Sequence, residues 1–171
     1  MSLLLLGLPA DLGDVLVPRL RGQGDEVRVL ENNDALAQRW RDLGAYVAHG
    51  PEDDPDLVMR AATNCRSLVL LGRWSGDDAL DVAVEGARLA TVERIVLFSE
   101  EPIDAALERL RASGLQYVAL EFRRKLLRRG LAPNLLAAAV DAADDLAGEV
   151  ALELDLRADS SWTALGLQPP R

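Results

Sequence analysis

The chain has 171 residues, 49% of them apolar and 27% charged, and a formal net charge of −9. That length and apolar share suit one domain with a core of its own, so neither disulfides nor a structural metal is needed to fold it. The acidic balance is repelled by phosphate backbones and argues against nucleic acid as a partner. With one cysteine and one histidine, the chain lacks the residues for a disulfide framework or a Cys/His metal site. Cys65 is read as a small buried hydrophobe. Aromatic residues make up 4%, so the core must be built from Leu, Val and Ala.

The opening Met1-Ser2-Leu3-Leu4-Leu5-Leu6-Gly7 has no basic segment. Its apolar run is too short for a signal peptide or a membrane span, so a cytoplasmic protein without a membrane partner is expected. Leu3–Leu6 reads as a strand buried on both faces, ended by Gly7. Leu12, Val15, Leu16 and Leu20 then recur at helical spacing up to Gly22 and Gly24. Glu26–Leu30 is a second strand. Leu36, Trp40 and Leu43 mark a helix closed by Gly44, and Ala45–Ala48 is a third strand. Pro55–Thr63 is a short helix with Asp54 as its N-cap. Ser67–Leu71 is a fourth strand, and Leu80, Ala83, Val84 and Ala87 mark the next helix. Arg94–Phe98 is a fifth strand, followed by a helix carrying Ile103, Ala106, Leu107 and Leu110, with Pro102 in its first turn and Gly114 at its end. Gln116–Phe122 is a sixth strand. Leu135, Leu136, Ala139, Val140 and Ala143 mark a further helix, and Glu149–Leu156 alternates as a last, edge strand.

Strand–helix alternation of this kind predicts an α/β fold: a doubly wound parallel sheet of about seven strands, Rossmann-like, with helices on both faces. Residues 1–158 are expected to form one domain, with 159–171 a loosely held tail. Ligands in such sheets sit at the carboxyl ends of the strands, at the switch point.

The first strand–helix turn is Gly7-Leu8-Pro9-Ala10-Asp11-Leu12-Gly13. It resembles the G-x-x-G-x-x-G turn of short-chain dehydrogenases, with Ala10 in the middle glycine's place. Glu26-Val27-Arg28-Val29-Leu30 with the polar turn after it, Leu43–Gly50, Asp53-Asp54-Pro55, Val92–Ser99 and Ala106–Tyr117 follow in the order of one family. From about Leu3 to Leu156 the chain resembles the NmrA-like, atypical short-chain dehydrogenase/reductase group. The resemblance implies an NAD(P)-binding fold and a cofactor site at Gly7, Ala10, Asp11, Leu12, Gly13, Glu31, Asn32, Gly72 and Arg73.

The departures lie in that site. Backbone N–H groups of the glycine-rich turn and the helix start cradle a pyrophosphate. Here Ala10 adds a methyl and Pro9 removes a donor. Asp11 and Asp14 flank the helix start, where a carboxylate either caps the helix or repels a phosphate. Glu31 ends the second strand. It is either a ribose-binding acid that rejects a 2′-phosphate or a polar strand end. Family members that use NADP tend to have an arginine near Asn32; the pair Asn32-Asn33 stands here, so NAD is the expected cofactor and NADP is not. The family's Gly-Asp-Leu stretch, whose Asp contacts adenine, is replaced by Gly50-Pro51-Glu52. The catalytic Tyr and the Lys four residues on fall at Glu100 and Asp104, and the loop before them is shortened. Tyr117 is expected in the core.

Other candidates are weaker. His49 has no Gly-x-Ser-x-Gly elbow to serve. In Gly72-Arg73-Trp74-Ser75-Gly76, Trp74 could stack on a base and Arg73 meet a phosphate, or the stretch is a surface turn. Arg123, Arg124, Lys125, Arg128 and Arg129 form either a solvated helix face or a surface for an acidic protein partner.

The expectation is a non-catalytic binding or regulatory module in which NAD affinity is weak or lost. The alternatives are an active NAD-dependent oxidoreductase or nucleotide-sugar epimerase with unusual acid/base groups, and a structural subunit. A homodimer is expected, because Val82 and Leu89 widen the apolar stripe of the fourth helix and Trp162, Leu165 and Leu167 lack cover in a lone domain; related reductases pair through the equivalent helices.

Overall fold

The computed structural model describes residues 2–72, 77–99, 102–121, 133–146, 152–155 and 159–168. In chain order they form β1 (Ser2–Leu6), α1 (Ala10–Gly22), β2 (Glu26–Glu31), α2 (Asp34–Asp42), β3 (Tyr46–His49), α3 (Pro55–Ala62), β4 (Ser67–Leu71), α4 (Asp77–Leu89), β5 (Arg94–Ser99), α5 (Asp104–Ser113), β6 (Gln116–Glu121), α6 (Pro133–Asp145), β7 (Leu152–Asp155) and α7 (Asp159–Ala164). The strands make one sheet of order β3-β2-β1-β4-β5-β6-β7, and every adjacent pair is parallel. This is the doubly wound, Rossmann-like sheet expected, with β7 at an edge.

The period of two along each strand divides the core. Leu3, Leu5, Val27, Val29, Val69, Leu71, Val96 and Phe98 join α1, α2, α6 and α7 on one face. Leu4, Leu6, Leu30, Leu68, Leu70, Ile95 and Leu97 join α3, α4 and α5 on the other. Each fully buried leucine contributes roughly 2 kcal/mol, and β1 places four of them at the centre of the sheet. The helices start where the sequence has caps: Asn33 Oδ1 accepts from Leu36 N at 3.0 Å and Asp54 Oδ1 from Asp56 N at 2.9 Å.

Polar ties fasten α6 to the end of α1 and to the amino ends of β4 and β5. Arg19 Nε and Gln23 Nε2 donate to Asp141 Oδ2 at 2.6 and 2.9 Å. Arg66 Nη2 and Arg94 Nη1 both donate to the Asp144 carbonyl.

Three expectations are corrected. β3 runs Tyr46–His49 rather than Ala45–Ala48; Ala45 is buried, whereas Tyr46 is exposed on this edge strand. Within the expected tail, Asp159–Ala164 forms α7, and Trp162 and Leu165 are buried in the α1–α6 layer. On α4, Val82 packs against the core, so the uncovered apolar residue is Leu89, 51% exposed. Residues 122–132, with the basic stretch, lie outside the described residues. Among the described residues no helix is long and apolar enough to cross a membrane.

Candidate functional site

β1 pairs with β2 on one side and β4 on the other. The chain leaves β1 for β2 on one side and crosses from β3 to β4 on the other, so the winding reverses at β1 and the switch-point crevice lies above its carboxyl end. Two glycines form the floor. Gly7 has φ +66° and Gly72 has φ +77°, a region that disfavours side chains. A Cβ on Gly72 would stand 3.4 Å from the Gly7 carbonyl oxygen.

From Gly7 the chain buries Leu8, passes through extended Pro9 and enters α1 at Ala10, which is half-buried. Gly13 N donates to the Pro9 carbonyl at 2.8 Å. A Cβ on Gly13 would lie 2.2 Å from the Trp40 ring. The last glycine of the turn is therefore fixed by packing of α1 on α2, whatever the ligand.

The acidic residues at this helix start are placed differently from expectation. The N-cap position is Pro9, with no side-chain cap. Exposed Asp11 lies one residue into α1, where its Oδ1 accepts from Leu12 N at 2.9 Å. The Leu12 side chain is core, and its amide is committed to Asp11. Asp14 faces α2 and accepts from Arg39 Nε at 2.6 Å. The amides of Ala10 and Asp11 have no intrahelical acceptor by the geometry of a helix start.

Glu31 ends β2 and is 7% exposed. Its Oε1 accepts from Asn33 N at 2.9 Å and its Oε2 from Trp40 Nε1 at 3.4 Å. Both oxygens thus brace the β2–α2 turn, while Asn32 is exposed. Beside them, His49 Nε2 is 3.0 Å from Asp34 Oδ1 at the surface.

One side chain at the centre of the crevice has no counterpart among the expected site residues. Glu52 Oε1 accepts from Gly7 N at 3.3 Å, across 45 positions of sequence. Burial raises its carboxyl pKa and the nearby Glu31 raises it further, against the lowering effect of the Gly7 amide. The short loop that carries Glu52 is fixed at both ends. Gly50 N donates to the Glu31 carbonyl at 3.3 Å, and Asp54 caps α3. Sequence spacing marked Glu52 as the loss of an adenine contact; no local pattern reveals its reach to Gly7.

The described part of the family's catalytic position is Asp104, the exposed first residue of α5. Tyr117 is buried on β6, facing the α3–α5 layer. Arg73, Trp74 and Glu100 lie outside the described residues. Among the described residues no group of three or more His, Cys, Asp or Glu could hold a metal. What the crevice offers is a small set of amide donors under two adjacent carboxyl groups.

No protein-family model and no curated protein matches the sequence. Solved structures do match. The triphenylmethane reductase of Citrobacter sp., solved in complex with NADP(H), is 18% identical with a TM-score of 0.66, over 90% of this chain and 69% of that one. ChuY, an anaerobillin reductase from Escherichia coli O157:H7, is 14% identical with a TM-score of 0.69, over 91% of this chain and 96% of its own. MoeE5, in complex with UDP-glucose and NAD, is 17% identical with a TM-score of 0.67, over 99% of this chain and 83% of its own. The likeness shows the fold: the chain has the doubly wound, Rossmann-like architecture that these proteins share, as the sequence resemblance implied.

Proposed function

We propose that the chain is a binding or regulatory module on a dinucleotide-binding frame. It prefers NAD to NADP, holds either weakly, and transfers no hydride itself. The observation that carries this reading is the state of the first turn. Pro9 has no donor, the Leu12 amide is held by Asp11, and the Gly7 amide is held by Glu52. A phosphate arriving there meets fewer donors and more negative charge than a bare glycine-rich turn presents. Glu31 at the end of β2, with Asn32 beside it, supports the preference for NAD, because a 2′-phosphate near that carboxylate is repelled. The fold itself accepts either cofactor: the Citrobacter reductase is complexed with NADP(H) and MoeE5 with NAD.

Calorimetric titration with both cofactors tests this. NAD is expected to bind with a Kd above about 100 μM, roughly −5 kcal/mol, and NADP more weakly still. A micromolar NADP complex would overturn both halves.

One observation favours a second reading, an active reductase. ChuY, an anaerobillin reductase, matches over 96% of its length, so its fold frame is covered almost whole by this chain. That reading requires turnover, and the two part on that measurement.

A further inference from the structure

The crevice holds an anion of the chain's own. Backbone amides of the turn that follows the first strand of a doubly wound sheet, and of the helix it opens, are donors for a ligand's phosphate oxygens; Gly7 begins that turn, and a carboxylate is chemically close to such an oxygen. Glu52 Oε1 takes the Gly7 N–H at 3.3 Å. Its approach does not depend on a long, slack segment, since the loop from Gly50 to Asp54 is tied to the Glu31 carbonyl at one end and to the start of α3 at the other. A Cβ on Gly50 would lie 2.5 Å from Leu57 Cδ2, so the loop is also packed down on α3. Glu31, whose oxygens accept from Asn33 N and Trp40 Nε1, adds a like charge beside Glu52.

The geometry points to Glu52 as an internal competitor that sets the affinity of the first turn for phosphorylated ligands. A diphosphate must displace the Glu52 carboxylate from the Gly7 amide before it can use that donor. Until it does, it sits against the negative charge of Glu52. The inference rests on the reading of this crevice as a dinucleotide site and adds the residue that governs its affinity. It selects against phosphate as such: an adenosine without phosphates has no reason to compete with Glu52.

The test uses the full chain, with Glu52→Ala, Glu52→Gln and Asp53→Ala, titrated with NAD, ADP and adenosine. Glu52→Ala removes occupant and charge, Glu52→Gln only the charge, and Asp53→Ala an equal charge from the same loop at an exposed position. Glu52→Gln keeps the size and acceptor of the native side chain, so it answers the question if the alanine variant does not fold. The expected result is that Glu52→Ala binds NAD and ADP at least about ten-fold more tightly, the scale of one charge-assisted hydrogen bond released to the ligand. Glu52→Gln should gain less, and Asp53→Ala nothing. Adenosine affinity should not change. Equal NAD and ADP affinities in the native and Glu52 variant proteins would overturn the role of Glu52 while leaving the dinucleotide reading in place. Failure of every variant to bind either phosphorylated ligand would overturn that reading, and the role of Glu52 with it.

Discussion

At the scale of single residues, Glu52 is a partly buried carboxyl group near the like charge of Glu31. Burial and the Glu31 charge raise the Glu52 pKa above its ordinary value of 4.5. A carboxyl group whose pKa is higher folded than unfolded favours the folded state when protonated. Its contribution is fully present below the unfolded pKa and is lost as pH rises through the folded one. Glu52→Gln, which mimics the protonated group, should therefore raise the denaturation midpoint near pH 7.5. The gain should vanish near pH 4, where the native side chain takes up its own proton. Denaturant unfolding at the two pH values checks this, and a variant equally stabilised at both would contradict it. None of this was legible in the sequence. Gly7 and Glu52 are 45 positions apart, and no periodicity or spacing connects a strand end to a loop two crossovers later.

At the scale of elements, the pattern of apolar residues was enough wherever a strand is buried on both faces. β4 is a continuous apolar run after its leading serine, and its bounds were read without error. The edge strand β3 has Tyr46 in solvent and only half-buried neighbours, so its pattern is weak and its start was placed one residue early. The helix α7 has six residues, too few for a period of 3.6 to show, and its stability comes from burying Trp162 among residues that precede it in the chain. The first turn teaches the same lesson from the other side. Gly13 looks like a cofactor glycine by its spacing, yet the Trp40 ring stands where its Cβ would go. Gly13→Ala should cost about 1–3 kcal/mol through overpacking of the α1–α2 contact, more than the helix propensity of alanine returns. Urea unfolding measures it. An unchanged or higher stability would show that the α1–α2 contact is looser than described, and would return Gly13 to a role in ligand approach.

At the scale of the whole molecule, a doubly wound frame carries a first turn that departs from the pattern the resemblance implies. The sheet order, the parallel pairing and the two helical layers are intact. The polar ties of Asp141 and Asp144 hold the end of α1 and the amino ends of β4 and β5, far from the crevice. The changes gather at the carboxyl ends: Pro9, Asp11, Glu52, and Asp104 at the start of α5 in the place where the resemblance implies a lysine. The frame was legible in the sequence because it follows from local hydrophobic patterning. That Glu100 and Asp104 stand where the resemblance implies a Tyr and a Lys was legible only against a family pattern, and the internal carboxylate only from the folded chain.

The most direct measurement is hydride transfer by the purified protein, followed as oxidation of NADH and of NADPH across a panel of aldehydes, ketones, quinones and an anaerobillin. The expected result is no turnover above about 0.01 per second, far below the usual enzyme range. Turnover above that level, abolished by substitution of a crevice residue such as Glu31 or Asp104, would contradict a non-catalytic module and establish the chain as an active reductase.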